Sequence, residues 1–479
     1  MHPSGYWITR WLFERGVALT YLIAFVCVVN QFIPLLGERG LLPVPAFVRR
    51  IRFRNSPSFF FYLPNDRAFR ICGWAGVALS AVALSGIADA HWWSSALIWA
   101  LLWALYISFV NVGQTFYAFG WESILLETGF FAIFAGSSHT PPQFIVICIW
   151  RWILFRVMFG AGLIKLRGDP CWKKLTCLDY HFETQPIPNG LSWRFHWLPS
   201  WAHKSGVLFN HVVELVVPFG YFAPQPVANI AGLLTILFQI ILMLSGNLSW
   251  LNLVTIVLAI PTLDGRLLRH IAPIATPPLH APGPVQQMIV LTVAAVVVAM
   301  SIKPVLNMVS AGQIMNFSYN PLHLVGTYGA FGGITRARYE IVVEGTAGPS
   351  PAASAWKEYE FRGKPGNPFR RGPQIAPYHL RLDWLMWFAA MRPDEVPLWF
   401  ARFVTKLLEG DQATLSLLKK NPFPDTPPRY VRALFYEYRF TTPAERRASG
   451  KWWDRTLVAT YIQPTALRAI RPEYEAIRR

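Results

Sequence analysis

The chain has 479 residues, of which 53% are hydrophobic and only 15% are charged. Ordinary soluble domains carry about 25% charged residues, so this composition excludes a typical soluble protein and indicates an integral membrane protein. The net charge of +18 is spread evenly: residues 1–310 hold 20 basic and 11 acidic side chains, residues 311–479 hold 24 and 15, and each part therefore carries +9. We expect contacts with membrane lipids and no nucleic-acid partner, because no single block resembles a nucleic-acid arm.

Apolar segments follow one another through residues 1–310. Crossing a membrane takes about 20 helical residues, and we predict a polytopic α-helical membrane bundle of about seven to nine spans. The first segment holds Glu14 and Arg15 and is followed by no small-residue cleavage signature, so we expect a retained helix rather than a signal peptide. The candidate spans are roughly residues 11–36, 69–88, 95–110, 113–135, 143–165, 206–222, 227–245, 248–262 and 285–309.

Polar residues interrupt the fourth candidate span, "NVGQTFYAFGWESILLETGF". On one continuous helix, Asn111, Thr115 and Glu122 lie on the same side and Glu127 points nearly the opposite way. Ionisable groups at membrane depth are costly, so each indicates either a functional site or a buried contact between helices. The sequence shows no partner, and both interpretations stay open.

A second polar segment is "FNHVVELVVPF". Helical spacing places Asn210, His211 and Glu214 on one face, and Pro218 predicts a kink because its ring removes the hydrogen bond to the carbonyl of Glu214. We favour a hydrogen-bonded structural pair of His211 and Glu214. Metal binding or proton relay is the alternative.

The span that ends in "GAGLIKLRGDP" carries Arg151 near one end and Lys165 near the other. They are about 21 Å apart along a helix, so we favour two side chains that reach opposite membrane surfaces. In the alternative, Lys165 lies inward beside Gly160 and Gly162, has a lowered pKa and acts as a base.

Polar side chains crowd residues 165–205, which we call the polar hub and expect where the bundle meets the next domain. Asp179, His181 and Glu183 alternate, and on an extended chain they share one face with Cys177. This pattern allows a metal site, but we favour polar contacts and expect no metal. Cys171 and Cys177 form a disulfide if the segment faces an oxidising compartment. The polar residues assigned to the hub and its neighbouring helix are Asp169, Asp179, Tyr180, His181, Glu183, Asn210 and Glu214.

The stretch "LSWRFHWLPSWAHK" spaces Trp193, Trp197 and Trp201 four residues apart among basic residues. Tryptophan and basic side chains gather at the headgroup level of membranes. We therefore predict an interfacial helix or a re-entrant segment.

Residues 311–462 have a different pattern, and we predict a water-facing, β-rich α+β domain. "NPLHLVGTYGAFGGITRARYEIVVEG" and "YVRALFYEYRF" show the aromatic and β-branched alternation of strands. "VPLWFARFVTKLLEG" predicts an amphipathic helix that ends at Gly410. Residues 463–479 form a basic C-terminal tail in this scheme.

These segments also carry a family resemblance. The blocks "NVGQTFYAFGWESILLETGF", "RWILFRVMFGAGLIKLRGDPCWKKLTCLDYHFETQPIPN", "LSGNLSWLN", "TYGAFGGITRARYE", "PYHLRLDWLMWFAA" and "YVRALFYEYRF" resemble the signature blocks of the lipase maturation factor family. The resemblance implies a multi-pass protein of the endoplasmic reticulum membrane in animals that assists folding and assembly of secreted dimeric lipases. The resemblance also implies that residues 311–462 lie on the extracytoplasmic side and bind the client. It does not indicate which residues contact the client.

The Arg- and Ala-rich composition fits a bacterial member, for which the membrane would be the cytoplasmic one. Charge alone gives a different indication. The positive-inside rule places the basic segment "RGLLPVPAFVRRIRFRN" on the cytoplasmic side of the membrane. Large domains translocate regardless of charge, so we follow the resemblance for residues 311–479.

A weaker similarity concerns "GAGLIKL", which is similar to a segment of vitamin K-dependent gamma-glutamyl carboxylases. It implies that Lys165 is a base acting on a quinone-like lipid cofactor, with Glu122 or His211 nearby. Two hypotheses therefore compete: a maturation factor that needs no cofactor, and a membrane-embedded enzyme. A transporter is a third. Convergence of Lys165, Glu122 and His211 on one cavity would favour the enzyme.

Overall fold

The computed structural model of the protein describes residues 3–352 and 354–468. Its first part is a bundle of helices joined by short loops. The helices are, in chain order, α1 Trp7–Leu36, α2 Val44–Val48, α3 Asp66–Ser85, α4 Trp92–Val112, α5 Gly120–Ala132, α6 Phe144–Arg167, α7 Pro170–Lys173, α8 Leu178–Thr184, α9 Ser192–His196, α10 Ser200–His211, α11 Val217–Gly220, α12 Val227–Ser245, α13 Leu251–Ala259, α14 Gly265–Ile271 and α15 Pro284–Val309.

Six of these helices in the described part of the chain are long and apolar enough to cross a membrane. The six are α1, α3, α4, α6, α12 and α15. Seven to nine spans are not confirmed, because the predicted spans 113–135, 206–222 and 248–262 form shorter or interrupted helices. A 3-10 turn at Gln114–Tyr117 delays the start of α5, a π turn at Val212–Val216 separates α10 from α11, and a 3-10 turn at Ile260–Thr262 follows α13.

Aromatic rings fill the space between α1, α3 and α4. Phe25 meets Tyr106 edge to face with ring centroids 5.3 Å apart, and Phe32 meets Phe109 in the same way at 4.8 Å. The helices approach closely at Gly76, where an added Cβ would lie 2.2 Å from the Phe25 ring. Edge-to-face rings in close contact supply much of the packing energy of such a core.

The second part holds a small antiparallel sheet flanked by helices. Its elements are β1 Arg338–Thr346, β2 Lys357–Glu358, α16 Arg381–Ala390, α17 Leu398–Glu409, α18 Gln412–Leu415, β3 Tyr430–Phe440, α19 Pro443–Ser449 and β4 Trp453–Thr465. The strand order is β2-β1-β3-β4. The sequence pattern for β3 and for α17 matches the structure, and α17 ends at Gly410 in the left-handed conformation (φ 66°).

Two sequence expectations for this part were wrong. Residues 319–337 form turns rather than a strand, and one isolated bridge joins Phe317 to Thr327. Glycines let this irregular segment pack closely: an added Cβ would lie 2.8 Å from Met315 at Gly329 and 3.0 Å from Ile164 of α6 at Gly332. At the other end β4 continues to Thr465, so the start of the predicted tail 463–479 belongs to the sheet. Residues 469–479 of that tail lie outside the described residues.

The sheet and its helices sit on one end of the bundle, which we call the domain-facing end. Gln31 of α1 donates to the carbonyl of His379 at 2.6 Å and accepts from the amide of Arg381 at 3.0 Å. Asn247, just after α12, accepts from the amides of Ile375 and Ala376 at 2.6 and 2.8 Å. These buried amide side chains replace water for backbone groups and fix the second part on the first.

Candidate functional site at the junction of the two parts

Arg381, the first residue of α16, is completely buried between the two parts. Its guanidinium donates to Glu122 at 2.8 Å and to the carbonyl of Phe116 at 2.7 Å, and it lies 3.4 Å from the ring centroid of Tyr117. Tyr106 donates to the second oxygen of the Glu122 carboxylate. One salt bridge therefore joins α4, α5 and α16 in a site without water access.

Glu127 forms a second buried network on the opposite side of α5. Arg156 of α6 pairs with Glu127 and donates to the carbonyl of Gly326 at 2.7 Å. The Tyr328 hydroxyl donates to the same carboxylate at 2.5 Å. Both glutamates thus bind residues from beyond position 310, and they hold the second part of the chain rather than line an open cavity.

The expectation that Asn111, Thr115 and Glu122 share one helix face was wrong. α4 ends at Val112 and α5 begins at Gly120, with the 3-10 turn between them. Asn111 donates instead to the carbonyls of Pro57 and Pro321 at 2.9 and 3.1 Å. Hydrogen bonds to these carbonyls bring another loop to the domain-facing end.

Lys165 lies inside the bundle, 4% exposed. Its ammonium group donates to both oxygens of Glu214 at 2.6 and 2.7 Å and to the Asn210 side chain at 3.0 Å. The π turn at Val212–Val216 carries Glu214. A π turn often marks a functional position, and here its acid compensates a buried cation.

The favoured expectation that Arg151 and Lys165 reach opposite membrane surfaces was wrong. Arg151 is 1% exposed and donates to the carbonyl of Pro261 at 2.8 Å and to the Tyr6 hydroxyl at 3.0 Å. The reason is local. The turn that contains Pro261 leaves a backbone carbonyl without a helical partner inside the bundle, and Arg151 donates a hydrogen bond to it.

Glu122 does not share contacts with Lys165 and His211, whereas Lys165 and His211 both contact Trp172. Glu122 binds Arg381, Lys165 binds Glu214, and the His211 ring bonds the carbonyl of Trp172 at 3.0 Å. The expected pair of His211 and Glu214 was therefore wrong, because His211 turns away toward Trp172. Within the described residues, no group of three or more His, Cys, Asp or Glu side chains could hold a metal ion.

In the polar hub, Cys171 and Cys177 form a disulfide, and both cysteines are buried. The chain then forms α8 at residues 178–184, so the extended arrangement that placed Asp179, His181 and Glu183 on one face was wrong. The three side chains separate. Asp179 pairs with His203 at 2.7 Å, and Glu183 accepts from the Phe440 amide of β3 at 2.6 Å.

His181 points into an apolar setting, with its ring edge to face against Phe331 at 5.1 Å. Burial and, as the smaller cause, the positive charge of Lys165 lower the pKa of His181 to about 4. Burial also raises the pKa of Glu183. A neutral His181 beside the buried Lys165 thus makes this part of the hub sensitive to acid.

Two arginines tie the hub to the sheet. Arg336 pairs with Asp169 at 2.7 Å and lies over the Tyr180 ring at 4.7 Å, and this hydrogen bond lowers the pKa of Asp169. Arg338 of β1 is buried and donates to the backbone carbonyls of Glu183, Gln185 and Pro186 at 2.9, 2.5 and 3.0 Å. Residues 169–186 therefore lie between the bundle and the sheet.

The tryptophan segment does not form one interfacial helix. It is divided at Pro199 into α9 and α10, and Trp193 is buried against the sheet, where it donates to the carbonyl of Thr441 at 2.7 Å. Trp197 is 40% exposed and Trp201 is 72% exposed. Trp193 thus packs against the second part of the chain, and the two later tryptophans of the segment keep exposed surface.

Sequence reasoning missed Arg381, Arg338 and Tyr328 as parts of the junction. A usable signal existed for Arg381, because it opens the mostly apolar stretch "LRLDWLMWFAA". Arg338 and Tyr328 carry no such signal in a domain expected to face water, so only their contacts to the first part of the chain reveal their role.

Comparison with known proteins adds to this geometry. Residues 8–270 match the family described as lipase maturation factor transmembrane domain, and residues 324–463 match the lipase maturation factor C-terminal domain. The chain is 39% identical to lipase maturation factor 1 of Mus musculus over 99% of this chain and 90% of the mouse protein.

The chain belongs to the lipase maturation factor family. Lipase maturation factor 1 of Bos taurus is 42% identical over 98% of this chain and 91% of the bovine protein. Lipase maturation factor 2 of Homo sapiens is 28% identical over 97% of this chain and 83% of the human protein. No solved structure matches. Family membership and the separation of Glu122 from Lys165 and His211 do not favour a carboxylase-like enzyme.

Replacing Arg381 with Met tests the junction. Glu122 would keep a buried charge without its cation, and we expect unfolding to become about 3 to 5 kcal/mol easier. The double variant Glu122→Leu/Arg381→Met removes both charges and should recover most of that loss. Thermal unfolding in detergent measures both, with exposed Arg392→Met as the control. Equal loss in the single and double variants would contradict a coupled pair.

Acid should weaken the polar hub through His181. Its pKa of about 4 in the folded state lies below the ordinary value of 6.5, so the unfolded chain binds more protons and stability falls as pH drops from 6.5 toward 4. Between pH 7 and pH 5 we expect wild type to lose about 2 kcal/mol more than His181→Gln. Melting temperatures across this range measure the difference, and exposed His270→Gln should follow wild type. Parallel curves for wild type and His181→Gln would refute this.

Proposed function

We propose that the protein assists the folding or assembly of secreted lipases, and that its contact with the client lies in the second part. The observation that carries the function is identity of 39 to 42% to lipase maturation factor 1 proteins along almost the whole chain. The bundle supplies a fixed base in the membrane. The second part supplies the surfaces that a folding client can reach.

The outer edge of β4 is the surface that best fits an extended client segment. In the described part of the chain β4 pairs only with β3, so its other edge has backbone groups without a strand partner. Residues 456–460, "TLVAT", are exposed on both faces and carry no charge. Strands with these properties accept another strand through main-chain hydrogen bonds.

Bulges limit how long such an added strand can be. The register between β3 and β4 shifts at Phe435 and Tyr436, so Val458 lies outside the ladder, and it shifts again between Ala433 and Leu434. Bulges protect edge strands from extended pairing. The edge therefore suits brief binding of a short, incompletely folded segment better than growth of a continuous sheet between copies.

We propose an extracytoplasmic position for the domain-facing end, in the bacterial cytoplasmic membrane or the endoplasmic reticulum membrane. The disulfide of Cys171 and Cys177 lies at that end, and disulfides persist in oxidising compartments. The basic loop of residues 37–65 reaches the same end, where Leu41 accepts from Arg402. The positive charge of this loop favours the cytoplasmic side and so opposes the proposed orientation. The proposal therefore rests on the disulfide.

Placing a charge on the β4 edge tests client binding. Val458→Lys leaves the β3–β4 ladder intact, because Val458 is a bulge residue, but puts an ammonium group where an apolar client strand would lie. We expect secreted active lipase to fall at least about fivefold when a lipase is co-expressed. The measurement is lipase activity in the medium, divided by the amount of folded factor in the membrane.

Met391→Lys is the matched control, because Met391 is also exposed on the second part and lies outside the sheet. It should support lipase secretion as wild type does. If both variants behave like wild type, the β4 edge is not the client surface. If both lose activity equally, the loss reflects surface charge in general.

Thiol labelling tests the orientation. Ser449→Cys places an exposed thiol on α19 of the second part, and Ala90→Cys places one near the opposite end, where Asp89 pairs with Arg15 of α1. A membrane-impermeant maleimide is added to the extracytoplasmic side, as in spheroplasts or in sealed vesicles with that side outward. It should label the cysteine at position 449 and not the one at position 90. Selective labelling at position 90 would reverse the orientation.

A further inference from the structure

Three arginines from three separate segments lie near one another at the junction, and two of them face tryptophan rings. They are Arg194 of α9, Arg371 of the loop before α16, and Arg446 of α19. The Arg446 guanidinium lies 3.5 Å from the ring centroid of Trp452 and 4.7 Å from that of Trp193. Arg371 lies 5.7 Å from the Trp452 centroid. We call these three residues the arginine cluster.

Arg371 packs directly against the chain at Gly190, where an added Cβ would lie 2.0 Å from its Nε. Trp193 and Trp452 meet edge to face with centroids 6.0 Å apart. The two rings offer stacking faces, which hold guanidinium groups in place without neutralising their charge.

No acidic side chain balances the arginine cluster within the described residues. None of its three guanidinium groups forms an ion pair or a hydrogen bond there, while nearby acids have other partners: Glu445 pairs with Arg439, and Glu183 accepts from the Phe440 amide. Burial and repulsion from Arg194 and Arg371 lower the pKa of Arg446. Three like charges held together without a counter-ion favour an anion from outside the chain.

The arginine cluster lies at the level where a spanning helix ends. Ser192, next to Trp193, donates to the carbonyl of Ser245 at 2.7 Å, and Ser245 is the last residue of the apolar helix α12. Beyond the cluster, Leu198 is 43% exposed and Trp201 is 72% exposed. Exposed tryptophan beside basic residues at the end of an apolar span is typical of the lipid headgroup layer.

We propose that Arg194, Arg371 and Arg446 bind the phosphate group of an anionic phospholipid in the leaflet at the domain-facing end. Guanidinium forks match phosphate oxygens and carry fixed positive charge. Leu198 and Trp201 contact the glycerol and upper acyl region of the same leaflet. The bound lipid joins α9, α19 and the loop at Arg371, and so anchors the second part to the membrane independently of client binding.

The test measures lipid binding by full-length protein in neutral detergent. Phosphatidylglycerol is titrated against wild type and against a triple Gln variant, with bound lipid counted by native mass spectrometry. We expect apparent affinity to fall at least tenfold in the variant and to weaken with added salt, while phosphatidylcholine binds weakly to both. Affinity within twofold of wild type would overturn the proposal. The substitutions are Arg194→Gln, Arg371→Gln and Arg446→Gln.

A matched triple variant removes the same charge from exposed positions elsewhere on the second part and should bind phosphatidylglycerol as wild type does. If both variants lost the same affinity for phosphatidylglycerol, net charge alone would explain the effect and the proposed lipid site would be overturned. A triple Lys variant of the arginine cluster should bind with intermediate affinity if guanidinium geometry matters. The control substitutions are Arg392→Gln, Lys420→Gln and Arg429→Gln.

Two further arms identify the ligand. Inorganic phosphate at millimolar concentration should not displace the lipid; full displacement would assign the site to free phosphate instead. If the triple Gln variant keeps wild-type lipid affinity but no longer co-purifies with a co-expressed lipase, an acidic client segment is the ligand and the lipid proposal fails. Loss of lipid binding with lipase secretion retained supports the lipid site, even if the β4 proposal fails.

Discussion

The buried pair of Arg381 and Glu122 is the contact on which the arrangement of the two parts most depends. A charged group removed from water is strongly unfavourable alone, so neither residue is stable there unless the other is in place. The pair therefore makes folding of α5 in the bundle conditional on docking of α16, and the reverse. Its strength as a constraint comes from this mutual requirement rather than from a large net gain in stability.

The other buried charges repeat this logic around the junction. Glu127 needs Arg156 and Tyr328. Arg338 pairs with Glu340 of its own strand and also donates to the carbonyls of Glu183, Gln185 and Pro186. Each network joins a segment of the bundle or the polar hub to a segment from beyond residue 310. The second part thus has a fixed position on the membrane part, and its sheet presents the β4 edge in a fixed direction. A fixed, exposed edge is what a factor that assists another chain requires, because it does not lose conformational entropy on binding.

Local patterns in the sequence predicted part of this structure. Alternation in "YVRALFYEYRF" and the amphipathic spacing before Gly410 predicted β3 and α17, because those signals come from a few neighbouring residues. Glu122, Lys165 and Glu214 were recognised as unusual, yet the pairs Glu122–Arg381 and Lys165–Glu214 were not predicted, since pairing over 259 and 49 positions depends on tertiary packing. The helix at Asp179, His181 and Glu183 was missed because alternating polar residues also fit a strand. The helix has only seven residues, which is too short for its sequence pattern to distinguish a helix from a strand.

Site-specific photocrosslinking tests the central claim that the β4 edge, held at the membrane by the buried pairs, receives the client. A photoreactive amino acid would replace Val458 or, as control, Met391, in cells that co-express a secreted lipase. The account predicts a crosslink to the lipase at position 458, little or none at 391, and a reduced yield at 458 when Arg381→Met is added. Crosslinks at 391 and none at 458 would contradict it.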